Sequence, residues 1–240
     1  MLRSIEIAIQ FLTIFKVRLD PAADLQETGR SAWAFPIVGA LIGLLLVIAC
    51  SALSSHLPSS LLAILVVGLW VFLTGGLHID GWTDCWDALA AAVTPERRFE
   101  ILKDSRLGTF GAIALILLLV VKIAAVAQPD FPLMMLFLAP IISRGLMVVT
   151  VYGSDHRGAG MAAQFLSGVD RRVARWVLIL GLGPAVLAGW MGICALIVAY
   201  LGAVCFRRFA EARLGIVNGD VIGAICELAE GLVLLTACVI

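Results

Sequence analysis

Six stretches of this chain are too apolar to be left in water. They cover residues 34–53, 60–77, 109–127, 132–152, 174–206 and 221–240, more than half of the sequence. A helix needs about 20 apolar residues to cross a hydrocarbon layer about 30 Å thick. Five of the runs are close to that length. The run at 174–206 overshoots it as one helix and contains Gly181, Gly183, Pro184, Gly189 and Gly192. Two shorter helices turning near Gly189–Gly192 fit it better. The chain is 62% hydrophobic and 14% charged, with a mean hydropathy of +1.06. A soluble domain is about a quarter charged. The expected fold is therefore an all-α, polytopic transmembrane bundle, one integral-membrane domain over residues 1–240.

Positive charge orients it. Arg3, Lys16, Arg18 and Arg30 precede the first run, and Arg97, Arg98, Lys103 and Arg106 separate the second from the third. Arg157, Arg171, Arg172 and Arg175 follow the fourth, and Arg207, Arg208 and Arg213 follow the fifth. The turns "SSHLPSS" and "QPDFP" carry neither Lys nor Arg. Basic loops stay in the cytoplasm, and all of them do so only if residues 174–206 cross twice. Seven spans follow, six if they do not, with the N-terminus inside and the C-terminus outside. The opening "MLRSIEIAIQFLTIF" places Ile5, Ile9, Leu12 and Phe15 at helical spacing. It reads as an amphipathic helix against the membrane or the bundle.

The net charge is zero, so nothing points to nucleic acid. The six cysteines, Cys50, Cys85, Cys194, Cys205, Cys226 and Cys238, form no CxxC pair, and no disulfide framework or thiolate metal site is expected. Lys122 is expected to snorkel to the outer interface. Arg144, toward the inner half of its span, is expected to face the interior and to pair with an acid or an anionic ligand.

The chemistry gathers in "GGLHIDGWTDCWDAL", residues 75–89. Asp80, Asp84 and Asp87 are spaced i, i+4, i+7, and on a helix they fall within about 60° of one another. Trp82 and Trp86 point to the other side, with the headgroup level as their expected place. A solvated polar loop is the simpler alternative. Carboxylates about 6 Å apart, however, repel by about 3 kcal/mol at an effective dielectric near 20. A hard divalent cation, Mg²⁺ or else Mn²⁺, relieves that repulsion and suits an all-oxygen ligand set. Such an ion would hold a diphosphate, and phosphoryl or nucleotidyl transfer is the reaction class. His78 reads as a hydrogen-bonding neighbour more than a ligand.

Two further segments carry polar residues. In "LKDSRLGTFG", residues 102–111, Lys103 and Arg106 flank Asp104 and Ser105, ahead of Gly108, Thr109 and Gly111. Basic side chains and backbone N–H groups at a helix start suit phosphate; an ordinary basic juxtamembrane loop is the alternative. In "VNGDVIGAICELAE", residues 217–230, Asp220, Glu227 and Glu230 share roughly one side of a helix. Glu227 and Glu230 sit within an apolar run, where acids mark function by default. They either pair with Arg144 or Lys122, serve a second metal, or act as a general base. In the loop at 152–165, His156 and Arg157 could reach a phosphate, although a flexible connector is the simpler role.

Taken together, "FPIVGALIG" (35–43), "GGLHIDGWTDCWDAL" (75–89), "LKDSRLGTFG" (102–111), "SRG" (143–145) and "NGDVIGAICELAE" (218–230) resemble the cobalamin synthase family, the adenosylcobinamide-GDP ribazoletransferases. The resemblance runs end to end. It departs where Trp82, Trp86 and Ala88 replace small residues and where Asn218 replaces threonine; every acidic position is kept. It implies transfer from adenosylcobinamide-GDP to α-ribazole or its 5′-phosphate, with release of GMP, in the cytoplasmic membrane and with Mg²⁺. On that footing Asp80, Asp84 and Asp87 would bind metal. His78, Lys103, Ser105, Arg106, Gly108, Thr109, Arg144, Asn218 and Asp220 would contact substrate. Asp84, Asp104, Asp220, Glu227 or Glu230 would serve catalysis. The lipid bilayer is an expected partner, and a homo-oligomer or a complex with other nucleotide-loop assembly enzymes is open. The rival readings are a membrane alcohol phosphotransferase using a CDP-linked phospholipid precursor and an ion-coupled transporter.

Overall fold

The computed structural model describes residues 1–19, 22–104, 106–152 and 161–240, the side chain of Met161 apart. Ser105, His156 and Arg157 lie outside the described residues. Among those described there are helices and no strand. They are α1 (Leu2–Leu12), α2 (Leu25–Arg30), a 3₁₀ turn at Ala32–Ala34, α3 (Phe35–Leu53), α4 (Ser59–Thr74), α5 (Leu77–Ala90) and α6 (Pro95–Leu102). The chain continues with α7 (Thr109–Val126), α8 (Leu133–Val149), α9 (Met161–Ser167), α10 (Arg171–Leu187), α11 (Gly189–Leu214) and α12 (Gly219–Val239).

Polarity is inverted relative to a soluble protein. Ile48 of α3 and Ile116 of α7 are 55% and 60% exposed, whereas Arg144 of α8 is fully buried. An apolar exterior around a charged interior is stable only in lipid. By length and apolarity, Ala32–Leu53, α7, α11 and α12 each suffice to cross a membrane, and α4 with α5 makes a fifth if the bent pair counts as one span. The seven crossings expected from charge placement exceed that number, because α8 is a shorter apolar helix and α10 begins on Arg171 and Arg172. The long apolar run does break: α10 ends at Leu187, Gly189 opens α11 at φ +75°, and the two helices pack together. The expected amphipathic N-terminal helix is present as α1. It buries Ile7, Ala8 and Leu12 and ties Arg3 to Glu27 of α2.

Small residues set the helix spacing. Gly39 and Gly43, one turn apart on α3, lie directly on the carbonyls of Pro140 and Phe137 of α8. Lipid offers helices no hydrophobic reason to associate, so close backbone approach supplies the packing.

The turn that delivers α5 is written in its two glycines. Gly75 and Gly76 both adopt left-handed backbone, at φ 62° and 70°, and α5 leaves α4 at 93°. The apolar α4 packs on α3 and α7, whereas α5 turns to pack on α12 and α7, which carries the aspartates off the axis of α4. An added Cβ at Gly76 would meet no neighbour within 4 Å, so only its backbone objects. We expect Gly76→Ala to lower stability by about 1 kcal/mol, read as a lower melting temperature in detergent.

Candidate active site

α5 forms over the predicted stretch and is held on three sides. On its back face Trp82 stacks on Phe206 of α11 at 6.1 Å and donates its indole N–H to the Ala114 carbonyl of α7 at 3.0 Å. Trp82 is thus buried between helices, which corrects the headgroup-level placement expected of it. Its N–H needs a partner, and the start of α7 supplies one. At the C-terminal end of α5, Arg213 donates to the Leu89 carbonyl at 2.6 Å and Arg98 to the Ala91 carbonyl at 3.3 Å. Cations and carbonyl partners at this end suit the helix dipole. Against α12 the approach is backbone to backbone: a Cβ on Gly81 would lie 2.8 Å from the Asp220 carbonyl oxygen.

The three aspartates do not share one role. Asp87 accepts the N–H groups of Gly108 and Gly111, each at 2.8 Å. It caps the start of α7, and a Cβ at either glycine would strike its carboxylate. The backbone donors expected to cradle phosphate therefore meet a carboxylate of this chain, which explains why the two motifs occur together. Asp87→Asn replaces one acceptor oxygen by an amide that cannot accept. We expect it to cost about 1–3 kcal/mol and to raise hydrogen exchange at the first turn of α7.

Asp80 and Asp84 remain at the mouth, joined by Asp220. Asn218 accepts the Val221 N–H, capping α12, and donates its amide to Asp220 at 2.7 Å. Asp84 is pushed up to about 6 by burial, then by the charges of Asp80, Asp220 and Asp87. Asp220, absent from the expected metal set, thus belongs electrostatically with Asp80 and Asp84. Among the described residues no group of three or more His, Cys, Asp or Glu side chains stands ready to hold a metal ion. The donor chemistry does fit a hard cation: the oxygens are carboxylates, and their mutual repulsion already strains Asp84.

The shift has a pH consequence. Asp84 titrates above its ordinary 3.8 in the folded state, so ionising it disfavours the fold once pH exceeds that value, fully so above about 6. In metal-free protein Asp84→Asn should raise the melting temperature at pH 8. The gain should shrink as pH falls through 6 and vanish near 4. A melting series with EDTA checks it.

The basic loop is exposed. Arg106 donates to both oxygens of Asp104, with the nearest contact at 2.6 Å. This pair holds Asp104 down to about 2, which makes it a weak base. Lys103 and Thr109 are exposed nearby.

Deeper in the bundle is a second set of charges. Lys122 of α7 contacts Glu227 and Glu230 of α12, each at 2.5 Å, with all three side chains at most 3% exposed. Its ammonium also lies 4.7 Å from the Trp70 ring centroid, a cation–π contact. Lys122 therefore does not snorkel; two buried carboxylates hold it inside. Arg144 pairs with Glu230 and donates to Ser143 at 2.9 Å. Two cations balance two anions, as burial in lipid demands. His78 is 2% exposed beside this cluster, within reach of the charges of Arg144, Glu230 and Lys122. Neither of its ring nitrogens has a hydrogen-bond partner among the described residues. It also lines a cavity of about 250 Å³ that opens between α5 and α12, next to Asp80 and Asp220.

Sequence reasoning missed the Asp87 cap and the place of Lys122. The glycines three residues apart at a helix start signalled the first. Opposite charges alone in facing apolar runs signalled the second.

Fold and site together define an all-helical integral-membrane protein with carboxylates gathered at one mouth of the bundle. The chain belongs to the cobalamin-5-phosphate synthase family, whose model matches residues 4–238. It is 39% identical to the adenosylcobinamide-GDP ribazoletransferase of Pseudomonas savastanoi pv. phaseolicola and 35% identical to that of Syntrophobacter fumaroxidans, over 96% of both chains in each case. The ribazoletransferase of Pseudomonas aeruginosa is 36% identical over 97% of this chain and 96% of its own. No solved structure matches.

Proposed function

We propose that this protein transfers the adenosylcobinamide phosphate moiety of adenosylcobinamide-GDP to α-ribazole, or to its 5′-phosphate. GMP is released and adenosylcobalamin, or its 5′-phosphate, is formed. The reading rests on the likeness to named ribazoletransferases along the whole chain, and the carboxylate mouth is the chemistry it needs. The acceptor hydroxyl oxygen bonds to the phosphorus that carries the cobinamide. The bond from that phosphorus to the bridging oxygen breaks, and GMP departs with that oxygen.

Asp80 and Asp84 would hold Mg²⁺, with Asp220 across from them and outside its ligand set. Such an ion, when bound, supplies neutralisation of the diphosphate charge. Lys103 and Arg106 line the exposed approach and offset charge on the departing GMP. Of the candidate bases, Glu227 and Glu230 are committed to buried cations and Asp104 is pinned by Arg106. Asp220, oriented by Asn218 at the cavity mouth, is the group we assign to receive the hydroxyl proton. The basic residues around this end, Arg97, Arg98, Lys103, Arg106 and Arg213, support a cytoplasmic face of the inner membrane for it by the positive-inside rule.

Purified protein with adenosylcobinamide-GDP, α-ribazole and Mg²⁺ should yield GMP and adenosylcobalamin in equal amounts, and EDTA should stop it. Absence of both products with every divalent metal tried would overturn the reading. CMP release from CDP-diacylglycerol instead would assign the chain to phospholipid chemistry.

A further inference from the structure

We infer that the cavity between α5 and α12 is the seat of the acceptor's aromatic base, and that His78 reads the free ring nitrogen of that base. The inference rests on the proposed transfer reaction and adds to it the place and recognition of the nucleoside.

Size excludes most of the alternatives. An apolar cavity of about 150 Å³ takes benzene, so 250 Å³ has room for a fused two-ring base and none for a corrin ring. The lining is aromatic and aliphatic, with Phe11, Leu77, Met147, Phe165 and Ile222 forming the walls. Phe11 and Phe165 stack on one another with centroids 6.3 Å apart, and Phe35 stacks behind both at 5.8 Å. Such stacked rings present flat surfaces to a planar guest.

Among the described residues, polar side chains enter at two places. Asp80 and Asp220 stand at the mouth, beside the proposed reaction, and His78 lies at the buried side with both ring nitrogens unpartnered among the described residues. A buried polar group without a partner is costly and calls for a ligand. Dimethylbenzimidazole, the base of α-ribazole, has one nitrogen bound to ribose and one free to accept a hydrogen bond. Its remaining edge is hydrocarbon. One N–H of His78 satisfies that nitrogen, and the walls take the methyl groups. Guanine and adenine, the other two-ring bases in the reaction, carry several polar groups on their edges and would leave them unpaired here. With the base seated, the ribose points to the mouth, where Asp220 awaits the hydroxyl.

The test is steady-state kinetics in nanodiscs, varying donor and acceptor separately. Wild type should prefer α-ribazole about tenfold over the corresponding indole riboside, which has carbon in place of the free nitrogen. His78→Ala should raise the acceptor KM about tenfold and erase that preference, with donor KM changing less than about twofold. Ala162→Leu, which fills the cavity from α9 without altering His78, should raise KM for both acceptors alike. If His78→Ala does not fold, the Ala162→Leu result and the wild-type preference decide. With a wild type that turns over, an unchanged acceptor KM in His78→Ala, or a rise in its donor KM instead, overturns the inference and leaves the transfer reaction standing. A wild type that releases no GMP overturns both.

Discussion

Asp84→Ala lowers turnover about 10³-fold or more, while the protein still inserts and folds. Asp84 is half-buried at the mouth and, among the described residues, makes no hydrogen bond that holds helices together; its neighbours are the carboxylates of Asp80, Asp220 and Asp87. Removing it relieves repulsion in the metal-free protein and takes away an oxygen that the cation and the diphosphate would need. The two effects have opposite signs, and that opposition is diagnostic. A variant that melts at or above the wild-type temperature but releases no GMP places Asp84 in the chemistry. A variant that keeps substantial turnover at saturating Mg²⁺ removes the metal assignment.

Glu230→Ala acts in the other direction. Glu230 faces both Lys122 and Arg144, and without it two buried cations share the single charge of Glu227. Breaking a buried pair by removing one partner costs about 3–5 kcal/mol, and the expected result is protein that unfolds early or fails to accumulate in the membrane. Lys122→Met with Glu227→Leu removes one cation and one anion together and leaves Arg144 with Glu230. That double variant should lose less than either Lys122→Met or Glu230→Ala alone, as measured by thermal unfolding in detergent. A Glu230→Ala protein as stable as wild type would show that the cluster is not what holds α7, α8 and α12 together.

The contrast between these two carboxylates shows what was legible in the sequence. The spacing of Asp80, Asp84 and Asp87 is a property of one helix, and local spacing survives into any fold that keeps the helix. The Gly75–Gly76 pair, by contrast, lies within the apolar run 60–77, and only the structure shows the chain turning there. Glu227 and Glu230 were recognisable as intramembrane acids, and Lys122 and Arg144 as their available partners. Which cation met which acid depended on how α7, α8 and α12 rotate about their axes, and no local pattern encodes that.

The Trp82 placement and the Asp87 cap fell beyond reach for the same reason. A tryptophan on a polar helix has the composition of an interfacial anchor, and only the packing of α5 against α7 and α11 turns it inward. Gly108 and Gly111 have the look of a phosphate cradle; that their N–H groups close on Asp87 follows from a crossing between α5 and α7.

The sequence by itself determined that this chain lives in lipid, that it is helical, and that Asp80, Asp84 and Asp87 share one helix face, because apolar length and helical period act over neighbouring residues. The tertiary structure alone decided that Asp220 comes beside Asp80 and Asp84, that Asp87 also caps α7, and that His78 lines a cavity. Those outcomes depend on distances between helices far apart in the chain, which are set by the close backbone contacts of small residues and by the pairing of charges that lipid will not solvate.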